Sequence, residues 1–218
     1  MKKLFFLAAG ALFLSANLSS CKKGENDPTL SLKSRKARLT GEWTVTSING
    51  LNSQIYSNPD NPNNMISEYI YNGSTQTNTT KDGNGTVLGT STSDEFTLTF
   101  SFKKDGTFTI TQKETANSIE MTSSGNWIFL NKNKNSKLKN KEAILLSMTS
   151  DNTINNGVSL LNTYSGLQGP NSLIFEIDEL KNNQITFIDE SVQVDNTNTP
   201  TEGILTSTNK TIYTLKQK

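Results

Sequence analysis

The strongest constraint in this chain is strict alternation between Glu95 and Lys113. Phe96, Leu98, Phe100 and Phe102 fall on one parity, and Thr97, Thr99 and Ser101 on the other. A period of two puts the apolar set on one face of a strand and the hydroxyls on the opposite face. The pattern resumes after Asp105-Gly106, where Phe108 and Ile110 alternate with Thr107, Thr109 and Thr111. Directly opposed residues of a hairpin share a face. A two-residue loop, Asp105-Gly106, would set Phe102 against Thr109 and mix the faces. A three-residue loop, Lys104-Asp105-Gly106, sets Phe102 against Phe108 and Phe100 against Ile110, with glycine in the left-handed position.

The rest of the chain repeats this theme more weakly. Asn, Ser and Thr make up 80 of the 218 residues, a bias that favours turns and solvent-facing strand positions over helices. Strands are expected at Leu39–Ile48, ended by the turn dipeptide Asn49-Gly50, and at Met65–Tyr71 before Asn72-Gly73. Leu51–Asn64 reads as a loop, and 74–93 as one weak hairpin turning at Asp82-Gly83-Asn84-Gly85. Further strands are expected around Ile119–Leu130 and Ala143–Met148. The Lys/Asn run Asn131–Lys141 reads as a solvated loop, and Ser150–Pro170 as irregular with a short piece at Val158–Leu161. Ser172–Leu180 and Gln184–Ser191 form a second hairpin; its loop Lys181-Asn182-Asn183 matches Ile177 to Phe187. Gly203–Thr206 and Thr211–Lys216 end the chain as edge or closing strands. About eight to ten strands joined in sequence, each with one apolar face, point to an all-β fold: an antiparallel meander closed into a barrel, with an open β-sandwich as the alternative.

Gly41-Glu42-Trp43 resembles the Gly-x-Trp that opens the first strand of lipocalins, and with the hairpins it resembles the lipocalin-like domain of bacterial lipoproteins. The resemblance implies a barrel with the tryptophan at its closed end, under an arginine from a late strand, and a small apolar ligand. Here the only arginines, Arg35 and Arg38, precede the motif.

A second motif concerns location. Lys2 and Lys3 precede an apolar run, Leu4–Leu14, that is too short to span a bilayer as a helix. It leads to Leu18-Ser19-Ser20-Cys21, which holds the only cysteine. Cleavage before Cys21 would place Leu18 at the −3 position, where a plain secretory peptidase wants a small residue. The tetrapeptide resembles a bacterial lipobox. That resemblance implies a signal peptide at 1–20, several acyl chains such as palmitate on Cys21, and attachment to a membrane of the cell envelope, most simply the outer membrane. Several chains hold a protein stably where one does not. Residues 21–38, charged and polar, are then a lipidated cysteine and tether, and 39–218 the barrel domain.

Composition narrows the chemistry. The chain has no histidine, which removes the commonest general base and metal ligand. Lipidation would consume the one thiol. A net charge of +1 gives no field that favours nucleic acid. Asp178 and Glu179 lie across a hairpin from Asp189 and Glu190, the pairing a glycosidase would need. Their ordinary reading is solvent-facing positions at strand ends. Asp82-Gly83-Asn84 lacks the later acids of a calcium loop. No cofactor, metal or catalytic residue is assigned, and the chain reads as a non-enzyme. Binding is the better class: a small apolar ligand in the barrel or, as the alternative, a glycan-binding or scaffold role in an outer-membrane complex. Tyr56, Tyr69 and Tyr71 are candidates to stack on a glycan, while Tyr69 and Tyr71 share a strand face and also fit a core. Trp43, Phe100, Phe102, Phe108, Ile110, Trp127 and Phe129 are enough to fill an eight-stranded barrel, whose interior is just wide enough for side chains or one ligand.

The lipobox reading makes a direct expectation. Cys21→Ala should leave the membrane fraction when cells are fractionated; a variant that stays there as fully as wild type contradicts the anchor.

Overall fold

The hairpin register sets the walls of the fold, and the structure, a computed structural model, describes residues 33–58, 63–130, 142–164, 172–195 and 203–218. Among the described residues an α-helix, α1 (Arg35–Leu39), precedes twelve strands. They are β1 (Gly41–Tyr56), β2 (Met65–Tyr71), β3 (Gln76–Asp82), β4 (Val87–Ser93), β5 (Phe96–Phe102), β6 (Thr107–Glu114), β7 (Ile119–Phe129), β8 (Ala143–Asn155), β9 (Val158–Thr163), β10 (Ser172–Leu180), β11 (Gln184–Asp195) and β12 (Leu205–Gln217). Eight of them, β1-β5-β6-β7-β8-β10-β11-β12, pair in that order, and β12 closes onto β1. Without β2–β4 and β9, the barrel is an antiparallel meander in chain order, the closed barrel expected rather than the sandwich.

The β5–β6 register is the one the face argument selects: Phe102 opposes Phe108 and Phe100 opposes Ile110. The loop is the three residues Lys104–Gly106, because the Lys103 amide donates to the Thr107 carbonyl at 2.9 Å. Gly106 has φ 94°, the left-handed region that suits glycine. Asp105 fixes the turn: its Oδ1 accepts from the amide and the hydroxyl of Thr107, at 2.9 and 2.8 Å. These hydrogen bonds hold its carboxyl below the usual carboxylate range. Asp82 likewise accepts from the amides of Asn84 and Thr86 in the β3–β4 turn.

Elsewhere the strands run longer than expected. Asn49-Gly50 does not end β1, which continues to Tyr56 because both of its edges are paired there, to β12 and to β2. Part of the expected loop Leu51–Asn64 is therefore strand. The two pieces expected at Gly203–Thr206 and Thr211–Lys216 are one strand, β12, which begins at Leu205, and Ser150–Asn155 continues β8 into a hairpin with β9. In the β10–β11 hairpin Ile177 does face Phe187, but by a different route. The loop is one residue shorter, with Leu180 opposite Ile185, and a bulge at Asp178 restores the register. The expected tether also ends early: Arg35 and Arg38 are buried in α1. The Asn131–Lys141 run and the lipobox lie outside the described residues.

The inward parity fills the lower barrel. Phe187 sits 6.2 Å from both Phe100 and Phe102 and 5.3 Å from Phe175, ring centre to ring centre. Trp127 meets Phe102 edge-on at 5.9 Å. Aromatic pairs at these separations add to the burial energy of each ring. Below them α1 caps one end. Arg38 Nη1 donates to the Leu180 carbonyl at 2.5 Å, and Trp43 Nε1 donates to the Leu39 carbonyl at 2.8 Å. Trp43 thus stands at the closed end, and the arginines there come from the helix ahead of it rather than from a late strand. Gly125 makes close strand contact: a Cβ there would lie 2.0 Å from the Ser147 carbonyl oxygen.

Two substitutions test this core. Phe100→Ala should cost about 3–5 kcal/mol in denaturant unfolding, against little for the exposed Thr97→Ala. Gly125→Ala should lower the melting temperature as severely, because backbone and not a side-chain tip must move. Equal effects of Phe100→Ala and Thr97→Ala would mean both faces of β5 are buried and the barrel is wrong.

Candidate mouth cavity

The wall of the barrel parts above its middle. β1 pairs β5 only from Gly41 to Thr44, then pairs β2 from Ile48 to Gln54. On the other side, the upper part of β8 pairs β9, whereas β10 meets β8 only below Ser147. Above Ile188, β11 pairs β12 alone. Two sheets therefore diverge toward the mouth: β11-β12-β1-β2-β3-β4 and β5-β6-β7-β8-β9.

A bulge between Val45 and Ser47 decides what β1 shows to this space. Trp43 and Val45 point inward below it; the extra residue shifts the parity so that Ile48, Gly50 and Asn52 line the cavity above it. Gly50 stands in register between Tyr69 and Thr211. A Cβ there would lie 3.3 Å from Tyr69 Cβ and 3.2 Å from Thr211 Oγ1. Glycine within a strand marks close approach, and here it leaves room.

The result is a cavity of about 400 Å³ between the two sheets. Ile48, Phe96 and Leu98 form its apolar part; Asn52, Asn78, Gln112 and Asn209 bring carboxamides; Ser67, Thr211, Tyr69 and Tyr213 bring hydroxyls. The inward rows of β12 and β6 turn polar as they rise, while that of β5 stays apolar to Phe96. On β12 it runs Leu215, Tyr213, Thr211, Asn209, and on β6 it runs Phe108, Ile110, Gln112. Tyr71 is excluded from the cavity: it is buried, with its hydroxyl donating to the Phe96 carbonyl at 3.0 Å. On the outer side of the same strands, a shallow groove of about 300 Å³ runs past Leu51, Ile70 and Ile212 between Glu68 and Lys210. It has no opposing wall.

Asp189 neighbours this cavity on β11, opposite Thr211. Its Oδ2 accepts from Asn209 Nδ2 at 3.2 Å, and Thr211 Oγ1 donates to Asn209 Oδ1 at 3.2 Å. Burial pushes the Asp189 carboxyl up, partly opposed by the Asn209 hydrogen bond. Burial and then the charge of Asp189 push the Tyr213 hydroxyl up to about 12. Tyr69 also rises to about 12, through burial first and then its neighbours Tyr213, Glu114 and Tyr71. Both phenols are therefore neutral donors at physiological pH.

The four carboxylates do not form one constellation. Glu179, opposite Thr186, stays near the closed end, where it pairs with Lys181 and accepts from Gln184 Nε2 at 2.6 Å. Asp178 occupies the bulge. Asp189 lies up the barrel, and Glu190 meets Lys210 at 3.3 Å. Among the described residues, no three His, Cys, Asp or Glu side chains gather into a metal-sized cluster.

Asp189 gives a pH-dependent expectation. Its folded carboxyl holds a proton more tightly than the unfolded one, so it lowers stability as pH rises above the ordinary carboxylate value. Asp189→Asn should therefore melt higher than wild type at pH 7, with the gap closing below about pH 4. A variant that melts lower, or a gap that ignores pH, contradicts the assignment. Comparison of the sequence with known protein families and with curated proteins finds no match.

Proposed function

We propose that the chain is a lipid-anchored lipoprotein of the bacterial cell envelope, held at the outer membrane by acyl chains on Cys21, and that its lipocalin-like barrel binds a small ligand at the mouth. The observation that carries the ligand reading is the cavity lining, four carboxamides and two neutral tyrosines around a small apolar floor. A saccharide unit matches that chemistry. Its C–H face packs against aromatic and aliphatic carbon, and its hydroxyls exchange hydrogen bonds with amides that donate and accept at once. The glycan-binding alternative thus becomes the leading one. A small apolar ligand is the second reading, favoured by the floor of Ile48, Phe96 and Leu98. In either case the proposed role is binding, and the four carboxylates that a glycosidase would pair are spread along the barrel rather than set across the cavity.

Gly50→Leu is the decisive variant. A leucine there would project between Tyr69 and Thr211 and occupy the cavity without touching the filled lower barrel. Titration calorimetry against soluble oligosaccharides should show heat with wild type and at least about a tenfold loss of affinity, roughly 1.4 kcal/mol, with Gly50→Leu. If saccharides give no heat but a fluorescent fatty acid binds and Gly50→Leu blocks it, the apolar reading holds. Binding that survives Gly50→Leu unchanged places the site elsewhere.

A further inference from the structure

The barrel is electrically polarised along its axis. Seven exposed lysines, Lys33, Lys36, Lys103, Lys104, Lys181, Lys216 and Lys218, lie toward the closed end, against the exposed acids Glu42, Asp105 and Glu176, and of these lysines Lys181 is paired with Glu179. At the mouth end, Lys81, Lys113 and Lys210 are each held by a glutamate, Glu68, Glu120 and Glu190, at 2.7, 2.9 and 3.3 Å. Beyond those pairs the mouth end carries further acids and no further described lysine, among them Asp82, Glu114, Asp151 and Asp189.

The basic end is one continuous surface. Lys36 Nζ lies 5.7 Å over the Trp127 ring, and Trp127 Nε1 donates to the Lys103 carbonyl at 3.2 Å, so α1 and the β5–β6 turn adjoin. Arg38 ties α1 to Leu180 beside Lys181. The Gln217 amide donates to the Asn183 carbonyl at 3.1 Å, which brings the end of β12 to the same turn. The chain from Cys21 enters the domain at this surface, through Lys33 and Ser34 into α1. Residues 22–32 can span at most about 40 Å when fully extended.

We propose that the closed end is a docking surface for the anionic headgroups of the membrane that holds the anchor, and that it seats the barrel with its mouth turned away from the bilayer. The proposal rests on the Cys21 reading for which membrane is meant; the surface itself is independent of it. A lipid anchor and a basic patch are two additive membrane contacts, and lysines near an anionic surface each add attraction over a Debye length. The acidic mouth would be repelled by the same surface, so both ends favour one orientation.

The test uses the chain from Lys22 to Lys218, which carries no lipid and keeps every described residue. It is sedimented with vesicles of neutral phosphatidylcholine or of phosphatidylcholine with about a third phosphatidylglycerol. Binding is expected to the anionic vesicles alone and should be removed by high salt. Lys103→Glu/Lys104→Glu should cut the bound fraction at least about tenfold, with circular dichroism unchanged. Lys113→Glu, at the mouth, should bind as wild type. Inorganic phosphate should displace the protein no more than chloride at equal ionic strength. Equal binding to neutral vesicles, full binding by the Lys103/Lys104 variant, or an equal loss with Lys113→Glu would overturn the proposal. Because no arm involves Cys21, failure here and failure of the lipid anchor are read separately.

Discussion

The aromatic cluster around Phe187 determines where anything else can bind. Phe100 and Phe102 from β5, Phe175 from β10 and Phe187 from β11 meet across the barrel, so side chains from opposite walls fill its lower half. A barrel of eight strands has an interior that side chains can fill or that one small ligand can share. Here they fill it, and the room that remains lies above Phe96 and Leu98, where the two sheets part. A ligand reading for this fold is a reading of the mouth.

The mouth in turn depends on β1. Like β8, it pairs three partners, and it does so by changing neighbours along its length: β5 below, β2 above, β12 throughout. The bulge between Val45 and Ser47 is the pivot. It turns the row that carries Trp43 and Val45 into one that carries Ile48, Gly50 and Asn52, so a single strand contributes both to the closed core and to the cavity. Gly50 then supplies the space. The polarity gradient on β6 and β12 completes the design, because the rows that end in Phe108 and Leu215 at the base reach Gln112 and Asn209 at the top.

Much of this architecture is legible in the sequence where the information is local. The β5–β6 register follows from parity and a glycine turn, and it agrees residue by residue. The β10–β11 pairing of Ile177 with Phe187 is also right, although a shorter loop and a bulge at Asp178 offset each other, which parity alone cannot distinguish from a longer loop. Asn49-Gly50 misleads because the dipeptide favours a turn only when nothing else constrains it; neighbours on both edges hold it extended. The cavity is hidden for a different reason. Its polar residues are scattered over five strands, and Asn78 and Asn209 look like any others in a chain so rich in asparagine. The polarised charge is hidden too, since a net charge near zero sums over two ends of opposite sign. What could have been read is the change from apolar to polar along one parity of β12, from Leu215 through Tyr213 and Thr211 to Asn209.

The central claim is that the lower barrel is closed to ligands and the mouth is not. The most direct measurement is amide chemical-shift mapping on the isotope-labelled protein as a ligand is added. The account predicts shifts confined to Ile48–Asn52, Ser67–Tyr69, Asn78, Phe96–Leu98, Gln112 and Asn209–Tyr213, with Phe100, Phe102, Trp127 and Phe187 unmoved. Shifts centred on those four aromatic residues would place the ligand inside the lower barrel and contradict the account.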